Sequence, residues 1–155
     1  MVKIDNKVWQ QALSFTDGNQ SSMAQRVKKN AVLYFYPRAN TPGCTNESKD
    51  FSELYEQFQT LGCEVIGVSA DSLKKQQNFK KKYDMPFELV ADVEEVLCQA
   101  FAVIVEKNMY GKKFMGIERS TFILDGDGKV LHEWRKVKVP EHAKEVLTQV
   151  KEINQ

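Results

Sequence analysis

The chain has 155 residues, 42% of them hydrophobic and 28% charged, with a formal net charge of +1. That length suits one domain over residues 1–155 rather than two, and the composition excludes a disordered or fibrous chain. Folding at this size buries roughly 70% of the surface, so no disulfide or metal staple is required. The balanced charge excludes a general attraction to nucleic acid or acidic membranes.

The opening MVKIDNKVWQQ lacks the apolar core and small-residue cleavage site of a secretory signal. No apolar run approaches the roughly 18 residues of a membrane span, so the expected location is cytoplasmic. The first strong element is Ala31-Val-Leu-Tyr-Phe-Tyr36, an apolar and aromatic run that predicts a buried central strand. Pro37 ends it, since proline cannot donate to a sheet ladder.

From Cys44 the period changes. Phe51, Leu54, Tyr55, Phe58 and Leu61 form the stripe of an amphipathic helix, stopped by Gly62. Cys63–Ser69 reads as a second strand, and the helical connection makes the pair parallel. A helix over about 72–83 and a short strand over about 87–90 follow. The lysines at 74, 75 and 80–82 read as a solvated helix face.

Asp92, with Glu95 three positions on, predicts a capped helix running to about Ala102. Residues 121–124 and 130–134 flank Asp-Gly-Asp-Gly, a hairpin signal. Pro140 suits the first position of a closing helix that buries Val146, Leu147, Val150 and Ile153. The order βαβ, a helical excursion, then ββα predicts a thioredoxin-like α/β fold, its central mixed β-sheet flanked by helices.

The cysteines at 44, 63 and 98 are odd in number and lack C-x-x-C spacing. They predict neither a disulfide framework nor a zinc site, and no metal or cofactor is expected. The loop Pro37–Cys44 falls at the carboxyl end of a central strand, where open α/β sheets build their sites. Cys44 falls in a helix's first turn, near unpaired N–H groups and the positive end of the macrodipole.

An ordinary cysteine, with pKa about 8.5, is only about 3% ionised at neutral pH, and lowering that value to about 6 takes roughly 3.4 kcal/mol. A helix terminus contributes about 0.3–1, at most about 2, kcal/mol. A cation and direct hydrogen bonds must supply the rest. Thr41 can offer a hydroxyl; Arg119 is the leading cation and Arg38 the local competitor. On these residues alone, Cys44 fits both a nucleophile and a passive small residue at a helix start.

The stretch Tyr34-Phe-Tyr-Pro-Arg-Ala-Asn-Thr-Pro-Gly-Cys-Thr-Asn-Glu47 resembles the active-site signature of peroxiredoxins, P-x-x-x-T-x-x-C, carried here by Pro37, Thr41 and Cys44. More narrowly it is similar to the bacterioferritin comigratory protein, or peroxiredoxin Q, subfamily. A second block, Met109–Asp125, places Arg119 at the family's active-site arginine, and the likeness runs from about residue 30 onward.

The resemblance implies a thiol-dependent peroxidase. Cys44 would attack the peroxide and become a sulfenic acid. Thr41 would hydrogen-bond the sulfur or the peroxide, and Arg119 would stabilise thiolate and leaving oxygen. Pro37 would shield the sulfur. Glu47 would orient the arginine, or simply complement the helix dipole. The expected substrates are hydrogen peroxide and small organic hydroperoxides, reached by an open thiolate. The reductant would be thioredoxin, glutaredoxin or a low-molecular-weight thiol, and the protein a monomer or weak homodimer.

Two features depart from the family. The N-terminal extension has Val8–Phe15 where relatives open with Gly…Ala-Pro-x-Phe. The positions where relatives carry a resolving cysteine hold Lys49 and Lys80. Cys63 reads as a buried hydrophobe, and Cys98, beside Leu97, as inert. The expected cycle uses one cysteine and an external thiol; a two-cysteine cycle through Cys98 or Cys63 is the alternative. The competing functions are a redox sensor, a silent binding module, and a hydrolase pairing Cys44 with His132 or His142. Glu47 stands where C-x-x-C exchange would need a cysteine.

Overall fold

Strand β3 (Asn30–Phe35) is buried along its whole length and divides the core in two, in a computed structural model that describes residues 3–155. Successive side chains of a strand point to opposite faces. Val32, Tyr34 and Tyr36 therefore enter one apolar cluster, and Ala31, Leu33 and Phe35 the other.

Helix α3 (Pro42–Thr60) carries the chain from β3 to β4 (Cys63–Ser69), which lies parallel to β3 as the helical crossover requires. Gly62, at φ 74°, makes the turn between them. Helix α4 (Leu73–Lys82), capped by Ser72, leads to β5 (Leu89–Ala91), parallel to β4. Strands β8 (Ser120–Asp125) and β9 (Val130–Trp134) form the antiparallel hairpin that Asp-Gly-Asp-Gly signalled, and β8 lies along β3. Helix α6 (His142–Ile153) packs with α3 on the Tyr34 side. Among the described residues no helix is long and apolar enough to cross a membrane.

The N-terminal segment adds α1 (Asn6–Trp9), β1 (Leu13–Phe15), β2 (Gln20–Ser21) and α2 (Met23–Arg26). Strand β1 pairs antiparallel with β5, giving a mixed sheet in the order β2-β1-β5-β4-β3-β8-β9. Trp9 is buried, and its Nε1 donates to the Gly126 carbonyl at 3.2 Å, tying this segment to the β8–β9 turn.

Three further features differ from the sequence expectation. Helix α5 is only Val96–Ala100, because Asp92 does not form a capping box with Glu95. Its buried carboxylate reaches past a tight turn to accept from the amides of Leu97 (3.2 Å) and Cys98 (2.8 Å). Pro140 lies in a turn before α6, which starts at His142 after Glu141 adopts φ 67°. An unpredicted hairpin, β6 (Ile104–Met109) and β7 (Lys112–Ile117), stands as a separate two-stranded sheet. Its turn, Tyr110-Gly111, has positive φ at both residues, as in a type I′ hairpin turn, but without the usual Asn or Asp signal.

Candidate active site

Cys44 occupies the third position of α3, after the N-cap Thr41, Pro42 and Gly43. Proline suits the first helical position because its missing N–H would go unpaired there. The loop before it is held from outside: Asp71 Oδ2 accepts from the Ala39 amide at 2.7 Å and from Ser69 Oγ at 2.7 Å, and Tyr83 donates to Asn40 at 3.0 Å. The sulfur is therefore presented by a braced turn.

Arg119 arrives from the segment between β7 and β8. Its Nη2 donates to Cys44 Sγ at 3.3 Å and its Nη1 to Glu47 Oε1 at 2.8 Å. Glu47 lies one helical turn past the cysteine, so both project from the same face of α3. Gly43 makes room for this: a Cβ there would sit 3.2 Å from Arg119 Nη2. That contribution was invisible in the sequence, since Pro-Gly before a helix also reads as ordinary turn chemistry.

Burial pushes Glu47 up to about 7, against the pull of Arg119. Its second oxygen, Oε2, is buried without a hydrogen-bond partner among the described residues. Burial also works against the Arg119 charge, but Glu47 and Cys44 outweigh it and hold the guanidinium above its usual value.

Several site residues sit differently from expectation. Cys44 is not open: the residue is 1% exposed, at the floor of a pocket of about 540 Å³. The hydroxyl of Thr41 donates to the Arg38 carbonyl at 2.9 Å rather than to the sulfur, which leaves its lone pairs available as acceptors. Pro37 is itself exposed and lines the pocket. Arg38 also lines it, but Arg119 is the cation on the sulfur. The β6–β7 hairpin, missed in the sequence, supplies an entire wall through Lys107, Met109, Phe114 and Gly116.

The other cysteines lie apart. Cys63 pairs with Asn30 at the start of β4, whereas Cys44 follows the far end of β3. Five strand steps of about 3.3 Å separate the two ends of β3 by roughly 17 Å. Burial, followed by the Glu64 charge, pushes the Cys63 thiol up to about 12. Cys98 is buried in the opposite core cluster, and burial followed by Asp92 pushes its thiol well up. At the positions where relatives place a resolving cysteine, Lys49 is exposed on α3. Lys80 donates to the carbonyls of Met85 (2.7 Å) and Phe87 (2.9 Å).

No histidine lines the pocket. His142 is buried, bonded to Thr121 Oγ1 at 2.8 Å and pushed down to about 4 by burial, and His132 packs against Trp134 with the rings tilted by 54°. Neither reaches Cys44 as a general base must. Among the described residues no group of three His, Cys, Asp or Glu side chains could hold a metal ion.

A cysteine sulfur bonded by a guanidinium at a helix start, on a mixed sheet of this topology, defines a thiol-dependent redox protein of thioredoxin-like fold. The chain belongs to the AhpC/TSA family, which matches residues 4–133. It is 49% identical over 139 residues to Peroxiredoxin Bcp of Xanthomonas campestris, covering 90% of this chain and 87% of that one. To Peroxiredoxin Bcp of Bacillus subtilis it is 42% identical over 154 residues, covering 99% and 98%.

A solved structure of the Xanthomonas campestris bacterioferritin comigratory protein, described for its alkyl peroxide reduction activity, superposes with a TM-score of 0.94. It is 43% identical, with 100% of this chain and 99% of that one covered. The chain is thus a peroxiredoxin, and its activity is thiol-dependent peroxide reduction.

Proposed function

We propose that Cys44 is the peroxidatic nucleophile of a one-cysteine cycle. The observation that carries the reading is Arg119, one guanidinium bonded at once to the Cys44 sulfur (3.3 Å) and to the buried Glu47 (2.8 Å). A thiolate accepts a charge-assisted hydrogen bond better than a thiol does. The sulfur belongs to a residue that is almost wholly buried, which strengthens that interaction.

The thiolate attacks the terminal peroxide oxygen. An S–O bond forms and the O–O bond breaks, sulfur is oxidised, and the departing oxygen takes one proton and leaves as water or an alcohol. Arg119 is placed to stabilise the charge that develops on that oxygen. Glu47 holds the guanidinium, and the Thr41 hydroxyl, its proton committed to Arg38, is free to accept from the peroxide's O–H. Pro37 narrows the mouth.

An external thiol then attacks the sulfenic acid, releasing water, and a second thiol frees Cys44 from the mixed disulfide. The separation of Cys63 and Cys98 from the site supports this ending. The substrates are hydrogen peroxide and alkyl hydroperoxides, the latter as for the Xanthomonas relative. The reductant is thioredoxin, glutaredoxin or a small thiol, and the single-domain chain works as a cytoplasmic monomer.

Peroxide consumption with a thiol reductant tests this reading. Turnover should vanish in Cys44→Ser, and wild-type-like activity in that variant would end it. After one equivalent of peroxide, non-reducing mass measurement should show one added oxygen. A loss of two hydrogens would replace the one-cysteine cycle with an internal disulfide.

A further inference from the structure

The pocket over Cys44 is much larger than hydrogen peroxide needs. Its volume is about 540 Å³, against the roughly 30 Å³ of a water molecule in the liquid, and it falls within the range of pockets that hold small organic ligands. The β6–β7 hairpin makes one wall. In its register Lys107 pairs with Phe114 and Met109 with Lys112, so alternation puts Lys107, Met109, Phe114 and Gly116 on one face. All four line the pocket.

Lys107 is the charged member of this apolar wall. Its stem crosses Gly116, where an added Cβ would lie 3.3 Å from Lys107 Cδ and 3.5 Å from Cε. The glycine thus leaves the channel along which the lysine runs. The side chain is half-buried. The neighbouring Glu106 is paired with Lys113 at 3.6 Å, and Lys107 itself joins no ion pair among the described residues. The charges acting on it are Arg119, which repels it, and Cys44 and Glu118, which attract it; Glu95 lines the same pocket.

A half-buried lysine lining the pocket with Phe114 and Met109, in no ion pair among the described residues, complements a ligand with an apolar body and an anionic head. We propose that Lys107 is a specificity determinant that selects hydroperoxides carrying such an anionic group. The proposal rests on the peroxidase reading and adds a substrate class to it. The redox step is unchanged: the sulfur gains one oxygen and the substrate leaves as its alcohol. Lys107 holds the remote carboxylate and takes no part in bond breaking.

The test compares cumene hydroperoxide bearing a para-carboxylate with the methyl ester of the same compound, on the full-length protein. Their kcat/KM ratio cancels any general change in Cys44 reactivity. The wild type should favour the acid by about fivefold, the ratio that about 1 kcal/mol produces. Lys107→Met should bring the ratio to about one, Lys107→Glu should invert it, and Lys107→Arg should restore it.

Equal rates for acid and ester in the wild type would overturn the proposal while leaving the peroxidase reading intact. So would a preference that survives Lys107→Met and disappears in Arg38→Met, which lies at the same pocket. Absence of turnover with every peroxide, hydrogen peroxide included, would remove both.

Discussion

Cys44 and Cys98 are equally hidden, at 1% and 0% exposure, yet their surroundings have opposite sign. Cys44 receives a hydrogen bond from a guanidinium. Cys98 faces the Asp92 carboxylate, which with burial pushes its thiol up. Burial alone always penalises a thiolate. What separates the two cysteines is the charge set against the sulfur.

The largest expected effect comes from removing that charge. Arg119→Ala should lower kcat/KM for peroxide by about 10²–10³, the usual cost of losing one donor to a developing oxyanion. Steady-state peroxide consumption measures it, and a loss below about threefold would assign the site's electrostatics elsewhere.

Glu47 lies one step back from the sulfur, bonded to Arg119. Glu47→Gln should cost up to about a hundredfold in rate by loosening the guanidinium. It also has a signature in stability. Burial puts the Glu47 carboxyl at about 7 in the folded protein, against about 4.3 in the unfolded chain. Between those values the folded state binds more protons, so stability falls as pH rises from about 4.3 to about 7, and is level beyond. Glutamine does not titrate, so the variant should gain on the wild type across that window. Denaturant unfolding at about pH 5 and about pH 8 gives the slopes, and identical slopes would show that Glu47 does not titrate as a buried acid.

The smallest effect belongs to Cys98. Asp92→Asn removes the negative charge beside Cys98 and weakens the cap on α5, whose amides it accepts at 3.2 and 2.8 Å. The variant should lose about 1 kcal/mol of stability, seen as a lower Tm, and Cys98 should react faster with a thiol reagent during brief thermal opening. Unchanged alkylation of Cys98 would mean that burial, rather than Asp92, keeps this thiol silent.

Much of the fold is legible locally. The run Ala31–Tyr36, the stripe from Phe51 to Leu61 and the Asp-Gly-Asp-Gly turn each report a period or a φ preference that neighbouring residues alone impose. The signals that failed were those whose partners lie beyond the window. Asp92 looked like a capping box because Glu95 stands three residues on, but the buried carboxylate caps Leu97 and Cys98 instead. The β6–β7 strands went unseen because most of their residues are exposed, leaving no apolar alternation to read.

By itself the sequence determined the central strand, the helix after it, the second strand and the β8–β9 hairpin, the cysteine's place in the first turn of α3 and, through two motif blocks, the family. Only the tertiary structure decided which cation meets the sulfur. Arg38 is six residues from Cys44 and Arg119 is 75 away, and the antiparallel pairing of β8 with β3 brings the distant one in. Tertiary packing also buried the thiol expected to be open, and put Lys107 on its wall. A charge's effect depends on distance and dielectric, and both are set where strands distant in sequence lie side by side.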